Sequence, residues 1–227
     1  MDSENVAEDF WLFGYGSLIW KPPPYYDKRL PGYITGYVRR FWQASEDHRG
    51  TPAFPGRVVT LVEQSYWESL GDTQGSTGSE QVWGAAYHIV PSKVEEVKDY
   101  LDIREINGYS VQYTTFYAAH PVSKQIRCLV YIGMPDNPQF LGALHPQDVA
   151  ERINQSVGPS GENREYLLQL EESLKDLSTE SGDVHISDLA RRVRSMEPRE
   201  GRPYGSQDLN PHKISSTEEQ EEIEKGS

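Results

Sequence analysis

The sequence predicts an α+β fold: a mainly antiparallel sheet with helices packed against it. Three observations lead there. Segments rich in Val, Ile, Tyr, Phe and Trp fill residues 10–134, with Pro- and Gly-bearing turns between them. From about residue 140 the apolar spacing changes to that of helices. The strands also follow one another too closely for helical crossovers between most neighbours, which speaks against a parallel Rossmann sheet.

FWLFGYGSLIW (10–20) reads as a strand ending in a glycine-flanked turn. YITGYVRRFWQ (33–43), RVVTLV (57–62), VWGAAYHIV (82–90), YSVQYTTFYAA (109–119) and QIRCLVYIGM (125–134) read as further strands. KPPPYY, GTPAFPGR and Asn107-Gly108 supply the turns. The polar, glycine-rich stretch 68–80 (ESLGDTQGSTGSE) is expected to be a flexible surface loop. One helix interrupts the strands over about 93–102: Ser92 and Glu95 have capping-box spacing, and Val94, Val97 and Leu101 recur at helical intervals.

Three helices follow. DVAERINQSV (148–157) places Val149, Ile153 and Val157 on one face. GENREYLLQLEESLKDL (161–177) does so with Tyr166, Leu167, Leu170, Leu174 and Leu177, and ISDLARRVRSM (186–196) with Ile186, Leu189 and Val193. Residues 1–9 read as a loose leader, and 197–227, polar and then acidic, as a disordered tail. That leaves 10–196 as one domain without internal repeats.

The charge balance narrows the function. With 22 Lys and Arg against 35 Asp and Glu, the net charge is -13. Neither nucleic acid nor an anionic membrane surface is an expected main partner. The densest basic cluster is Arg191, Arg192 and Arg194. The single cysteine, Cys128, allows no intrachain disulfide, which fits a reducing compartment. It lies in an apolar strand and reads as a core thiol. The acidic start lacks the basic n-region of a signal peptide, and no apolar run is long enough to span a bilayer. Cytosol is the expected location, with the nucleus a second possibility.

Chemistry must come from few residues. There is no Walker motif, GxGxxG, CxxC or HExxH, and the six histidines lack ligand spacing, so no metal site is expected. Ser45, Asp47 and His48 lie too close together for a triad, whose members come from separate elements, and no GxSxG elbow is present. GYGS has two readings. Gly14 and Gly16 can relieve packing at a bulge, the commoner case; alternatively they let a ligand approach the backbone, where successive N–H groups form an anion nest. In YLDIREINGY (100–109), Asp102, Arg104 and Glu105 are expected on a short connection between helix and strand. A surface ion pair is the ordinary reading there. A partly buried carboxylate, with its pKa raised, would instead suit proton transfer.

Taken together, FGYGSLIWKP (13–22), RRFWQASEDHRGTPAFPGRVVTL (39–61), YLDIREINGY (100–109), VYIGMPDNPQFLG (130–142) and GPSGENREYL (158–167) resemble the ChaC-like γ-glutamylcyclotransferases, in particular the glutathione-specific branch. The segments also come in the family's order and cover roughly residues 10–177. The resemblance implies a small mixed β-barrel flanked by helices, with the pocket at one barrel end. It implies cleavage of glutathione to 5-oxoproline and cysteinylglycine, without a cofactor. It places γ-glutamyl binding at Tyr15, Gly16, Ser17 and Leu18, led in by Leu12, Phe13 and Gly14, and the catalytic carboxylate at Glu105. Arg57 and Tyr166 fall in matching segments. Other γ-glutamyl amino acids or amines as substrates, or a non-catalytic binding protein of the same fold, are the alternatives. Oligomeric state is not legible.

Overall fold

The computed structural model describes residues 9–74, 81–104, 109–120 and 125–196. The first eight leader residues, the end of the 68–80 segment, Glu105, the Asn107-Gly108 turn and the acidic tail lie outside the described residues.

Five strands close into a barrel. These are β1 (Trp11–Gly14), β2 (Tyr26–Thr35), β5 (Gln81–Ile89), β6 (Tyr109–Ala118) and β7 (Gln125–Gly133), in the order β1-β5-β2-β6-β7. All neighbours are antiparallel except β1 and β7, which meet in parallel at Leu12 and Leu129 and close the ring. The barrel is therefore small and mixed.

The run 33–43, read on sequence as one strand, is two. Gly36, at φ 82°, separates β2 from β3 (Tyr37–Ser45). That left-handed backbone suits glycine, and it turns the chain out of the barrel into a second sheet. There β3 pairs with β4 (Gly56–Glu63), with a register shift between Arg40 and Gln43. The second sheet is tied to the barrel where the Gly133 amide donates to Thr60 Oγ1 at 2.9 Å. β2 also starts earlier than the pattern implies. Its first four side chains are exposed, so no apolar alternation marks it.

A short helix, α1 (Gln64–Glu68), follows β4. In the next stretch Asp72 accepts from Arg40 Nε (2.7 Å) and Trp67 Nε1 (2.9 Å), and Gln74 Nε2 donates to Asp188 Oδ2 (2.8 Å). The interrupting helix, α2 (Val94–Arg104), is entered through a 3-10 turn over Pro91–Lys93. Ser92 lies inside that turn, and Glu95 accepts from Lys98 at 2.9 Å, so the expected capping box gives way to this entry. α2 also runs past its expected end and takes in Asp102 and Arg104.

α3 (Pro146–Gln155) is capped by His145, whose Nδ1 accepts from the Gln147 amide. It stops before Val157, which instead starts a two-residue ladder of β8 (Val157–Gly158) and β9 (Gly161–Glu162). α4 (Asn163–Leu177) and α5 (Val184–Arg194) complete the chain; Asp183 Oδ1 caps α5 by accepting from Ile186 N. These three helices bury Ile153, Leu167, Leu170, Ile186 and Leu189 against Phe13, Phe41, Leu61 and Phe116 of the sheets. A second cluster forms where Val97 and Leu101 of α2 meet Leu12, Leu18, Tyr87 and Ile89. Full burial of such a side chain stabilises by about 1.5–3 kcal/mol. Among the described residues no helix is long and apolar enough to cross a membrane.

Candidate active site

Gly14 ends β1, and the chain turns through Tyr15 and Gly16 into a single 3-10 turn, Ser17–Ile19. The Ile19 amide donates to Gly16 O (3.0 Å), and those of Trp20 and Lys21 to Ser17 O (3.1 and 2.8 Å). The carbonyls of Gly16 and Ser17 are thus used inside the turn. Tyr15, Leu18 and Ile19 are buried, while Gly16 and Ser17 are half-buried. Gly16 and Ser17 are thus the part of Tyr15–Ile19 that solvent reaches.

Both glycines are required by their surroundings. A Cβ at Gly14 would lie 2.6 Å from Leu18 Cβ. One at Gly16 would lie 2.9 Å from Val59 Cγ2 and 3.1 Å from the Tyr166 hydroxyl. The rest of the barrel fixes the turn from behind. Tyr15 OH donates to Tyr131 O of β7 at 2.8 Å, and Tyr87 OH of β5 donates to Leu18 O at 2.7 Å. Arg29 of β2 donates to Tyr87 OH at 3.3 Å and to Ile19 O at 3.4 Å. Leu12 and Phe13 bury their side chains in the two clusters and anchor the strand that enters the turn.

The opposite wall is the start of α4. The Tyr166 ring meets Trp20 edge-on at 5.4 Å and Phe41 at 5.9 Å, with Arg49 Cζ 5.8 Å from its centroid. Asn163, fully buried, accepts from the Arg57 amide (2.6 Å) and donates to Arg57 O (2.7 Å). Arg57 and Tyr166 are thus both fixed at one helical turn.

Arg39 went unnoticed on sequence. It is 2% exposed, donates to Asp183 Oδ2 at 3.2 Å and to Trp83 O, and lies near Tyr15 and Tyr166. Burial lowers its pKa, and Asp183, Tyr166 and Tyr15 act in the opposite direction. In the sequence Arg39 and Arg40 are simply two charges in a strand; only packing shows which one lies near Tyr15 and Tyr166.

Glu105 lies outside the described residues. The described chain before it ends with α2, whose Val97 and Leu101 share a cluster with Leu12 and Leu18. Elsewhere, Ser45 Oγ accepts from the Arg49 amide at 3.0 Å, and His48 Nδ1 lies 3.3 Å from Ser160 Oγ. These residues form caps and loop contacts, not a triad. Burial, with Asp9 nearby, pushes the Cys128 thiol up to about 12, which leaves it inert as a nucleophile. Among the described residues no group of three or more His, Cys, Asp or Glu could hold a metal ion.

A closed mixed barrel whose first strand ends in a glycine-flanked, tyrosine-braced turn is a γ-glutamylcyclotransferase-like architecture. The match to known proteins is closer than that. The chain belongs to the family of ChaC-like proteins, whose model matches residues 10–196. It is 43% identical over 198 residues to a glutathione-specific γ-glutamylcyclotransferase of Schizosaccharomyces pombe, covering 86% of this chain and 98% of that one. It is 36% identical over 198 residues to the human glutathione-specific γ-glutamylcyclotransferase 1, covering 86% and 83%. The crystal structure of a glutathione-specific γ-glutamyl cyclotransferase from yeast superposes with a TM-score of 0.75 at 33% identity, covering 82% of this chain and 95% of that one.

Proposed function

We propose that the chain is a glutathione-specific γ-glutamylcyclotransferase. The observation that carries this reading is a convergence: the glycine turn and the helix leading to Glu105 pack into one cluster of Leu12, Leu18, Val97 and Leu101. The similarity to curated glutathione-specific relatives supports the choice of substrate.

The reaction is an intramolecular aminolysis. The α-amine of the γ-glutamyl group attacks its own γ-carbonyl, closes 5-oxoproline and expels cysteinylglycine. Both reacting groups belong to one molecule, so selecting the folded-back conformer supplies up to ~7–11 kcal/mol. Glu105 takes the proton of the attacking amine and returns it to the departing nitrogen. Backbone N–H groups of the 14–18 turn anchor the α-carboxylate or the developing oxyanion of the γ-glutamyl moiety; one donor to a developing oxyanion is typically worth ~2.7–4 kcal/mol. Leu12, Phe13, Gly14, Tyr15 and Leu18 hold that turn in shape. No step calls for a cofactor. A glutathione-degrading activity and one lone, buried thiol fit the cytosol.

Incubating the purified protein with glutathione should release 5-oxoproline and cysteinylglycine in equal amounts. A panel of γ-glutamyl amino acids and γ-glutamylamines gives the comparison; faster release from one of these than from glutathione reassigns the substrate. No 5-oxoproline from any member, across several buffers, would leave only a binding role. The catalytic unit is taken as residues 10–196. A chain ending at 196 should keep full activity, and a loss larger than twofold would assign the tail a part in turnover.

A further inference from the structure

Among the described residues, two arginines near the turn have no counter-charge. Arg49, Arg57, Arg152 and Arg164 gather where β4 begins between α3 and the start of α4. Arg49 has Glu165 at 3.8 Å, and Arg164 donates to Asn154 Oδ1 at 3.2 Å. Among the described residues, no carboxylate pairs with Arg57 or Arg152. The Arg57 guanidinium donates through Nη1 to two neutral acceptors, Pro55 O (3.2 Å) and Gly56 O (2.9 Å), and its buried Nε has no partner. Arg152 rests with Cζ 3.9 Å from the centroid of the Phe54 ring. Burial, and then the like charge of Arg152, lower the Arg57 pKa to about 10. A half-buried cation beside a second cation is costly. In a chain with 35 acidic residues against 22 basic ones, its isolation leaves room for an anion from outside.

The position relative to the turn is defined. Asn163 holds the Arg57 backbone, and Tyr166, three residues on and on the same face of α4, reaches Gly16. Along β4, Val59 lies on the same face as Arg57, one pleat repeat or about 7 Å away, and would meet a Cβ at Gly16. Two extended residues span about the same length, ~7 Å. The dipeptide that departs from the γ-glutamyl group has that length and ends in a carboxylate.

We propose that Arg57, backed by Arg152, binds the C-terminal carboxylate of the leaving dipeptide and so selects a γ-glutamyl tripeptide over shorter γ-glutamyl compounds. The proposal rests on the cyclotransferase reading and adds a specificity-determining subsite to it. γ-Glutamylcysteine places its carboxylate one residue too near the turn, and an amide at the same position carries no charge.

The test compares glutathione with γ-glutamylcysteinylglycinamide, which lacks only the terminal charge, by 5-oxoproline release. The wild type should show a KM at least tenfold higher for the amide, with kcat within about twofold. Arg57→Gln should raise the KM for glutathione towards the amide value and leave the amide's own KM nearly unchanged, and Arg57→Lys should restore part of the difference. Arg152→Gln should move KM in the same direction by a smaller factor, and it serves as the readout if Arg57→Gln fails to fold. Equal use of both substrates by the wild type, or an equal loss on both in Arg57→Gln, overturns the subsite while leaving the cyclotransferase reading intact. A wild type that forms 5-oxoproline from neither brings down both.

Discussion

Glu105→Gln should lower 5-oxoproline release from glutathione by ~10²–10⁴-fold, the usual contribution of a positioned acid or base. The amide has nearly the shape of the carboxylate but cannot take a proton from an amine. The supporting cluster of Leu12, Leu18, Val97 and Leu101 is untouched by the change. Thermal stability and glutathione affinity should therefore stay close to wild type while turnover falls. Wild-type-like turnover in the variant would remove Glu105 from the mechanism. Asp102→Asn, in the preceding turn of chain, should be milder; an equal loss there would move the proton-transfer role to Asp102.

Gly84→Ala should be severely damaging to the barrel wall. A Cβ at this position in β5 would lie 2.3 Å from the Gly14 carbonyl oxygen and 2.7 Å from Phe13 Cζ. The first contact is to backbone, so no rotamer change relieves it. Overpacking typically costs about 1–3 kcal/mol, and a backbone clash belongs at the upper end. For a chain of this size, ~3 kcal/mol corresponds to a melting point lower by ~6–12 °C. Because the displaced group is the residue that opens the glycine turn, kcat/KM should fall even below the transition. A variant with an unchanged melting point would show that β1 and β5 are not so closely apposed.

The parts of the fold legible in the sequence were those with a local signature. β5, β6 and β7 announce themselves by β-branched and aromatic content, and α3, α4 and α5 by their apolar period, to within a few residues. β2 did not, because Asp27, Lys28 and Arg29 are all exposed and Pro31 interrupts its middle. Its separation from β3 depends on one left-handed glycine, whose conformation a string of letters does not record. Closure between β1 and β7 involves strands far apart in sequence, and no periodicity encodes it. In the site, two glycines within an apolar run marked the turn, and the structure adds which neighbours crowd each of them. The isolation of Arg57 among the described residues was not legible at all, since it depends on how distant segments meet.

The closure of β1 on β7 also orders events in time. Tyr15 and its acceptor on Tyr131 are 116 residues apart. At typical synthesis rates that interval takes on the order of ten seconds. Until β7 leaves the ribosome, β1 can pair along one side with β5 while its other edge waits. Contacts of such long sequence separation form late, because the loop they close must first be ordered. A nascent chain therefore carries the complete turn sequence well before it carries a turn braced from behind. Any chain arrested before β7 should expose an apolar strand edge, a surface for chaperones or for aggregation.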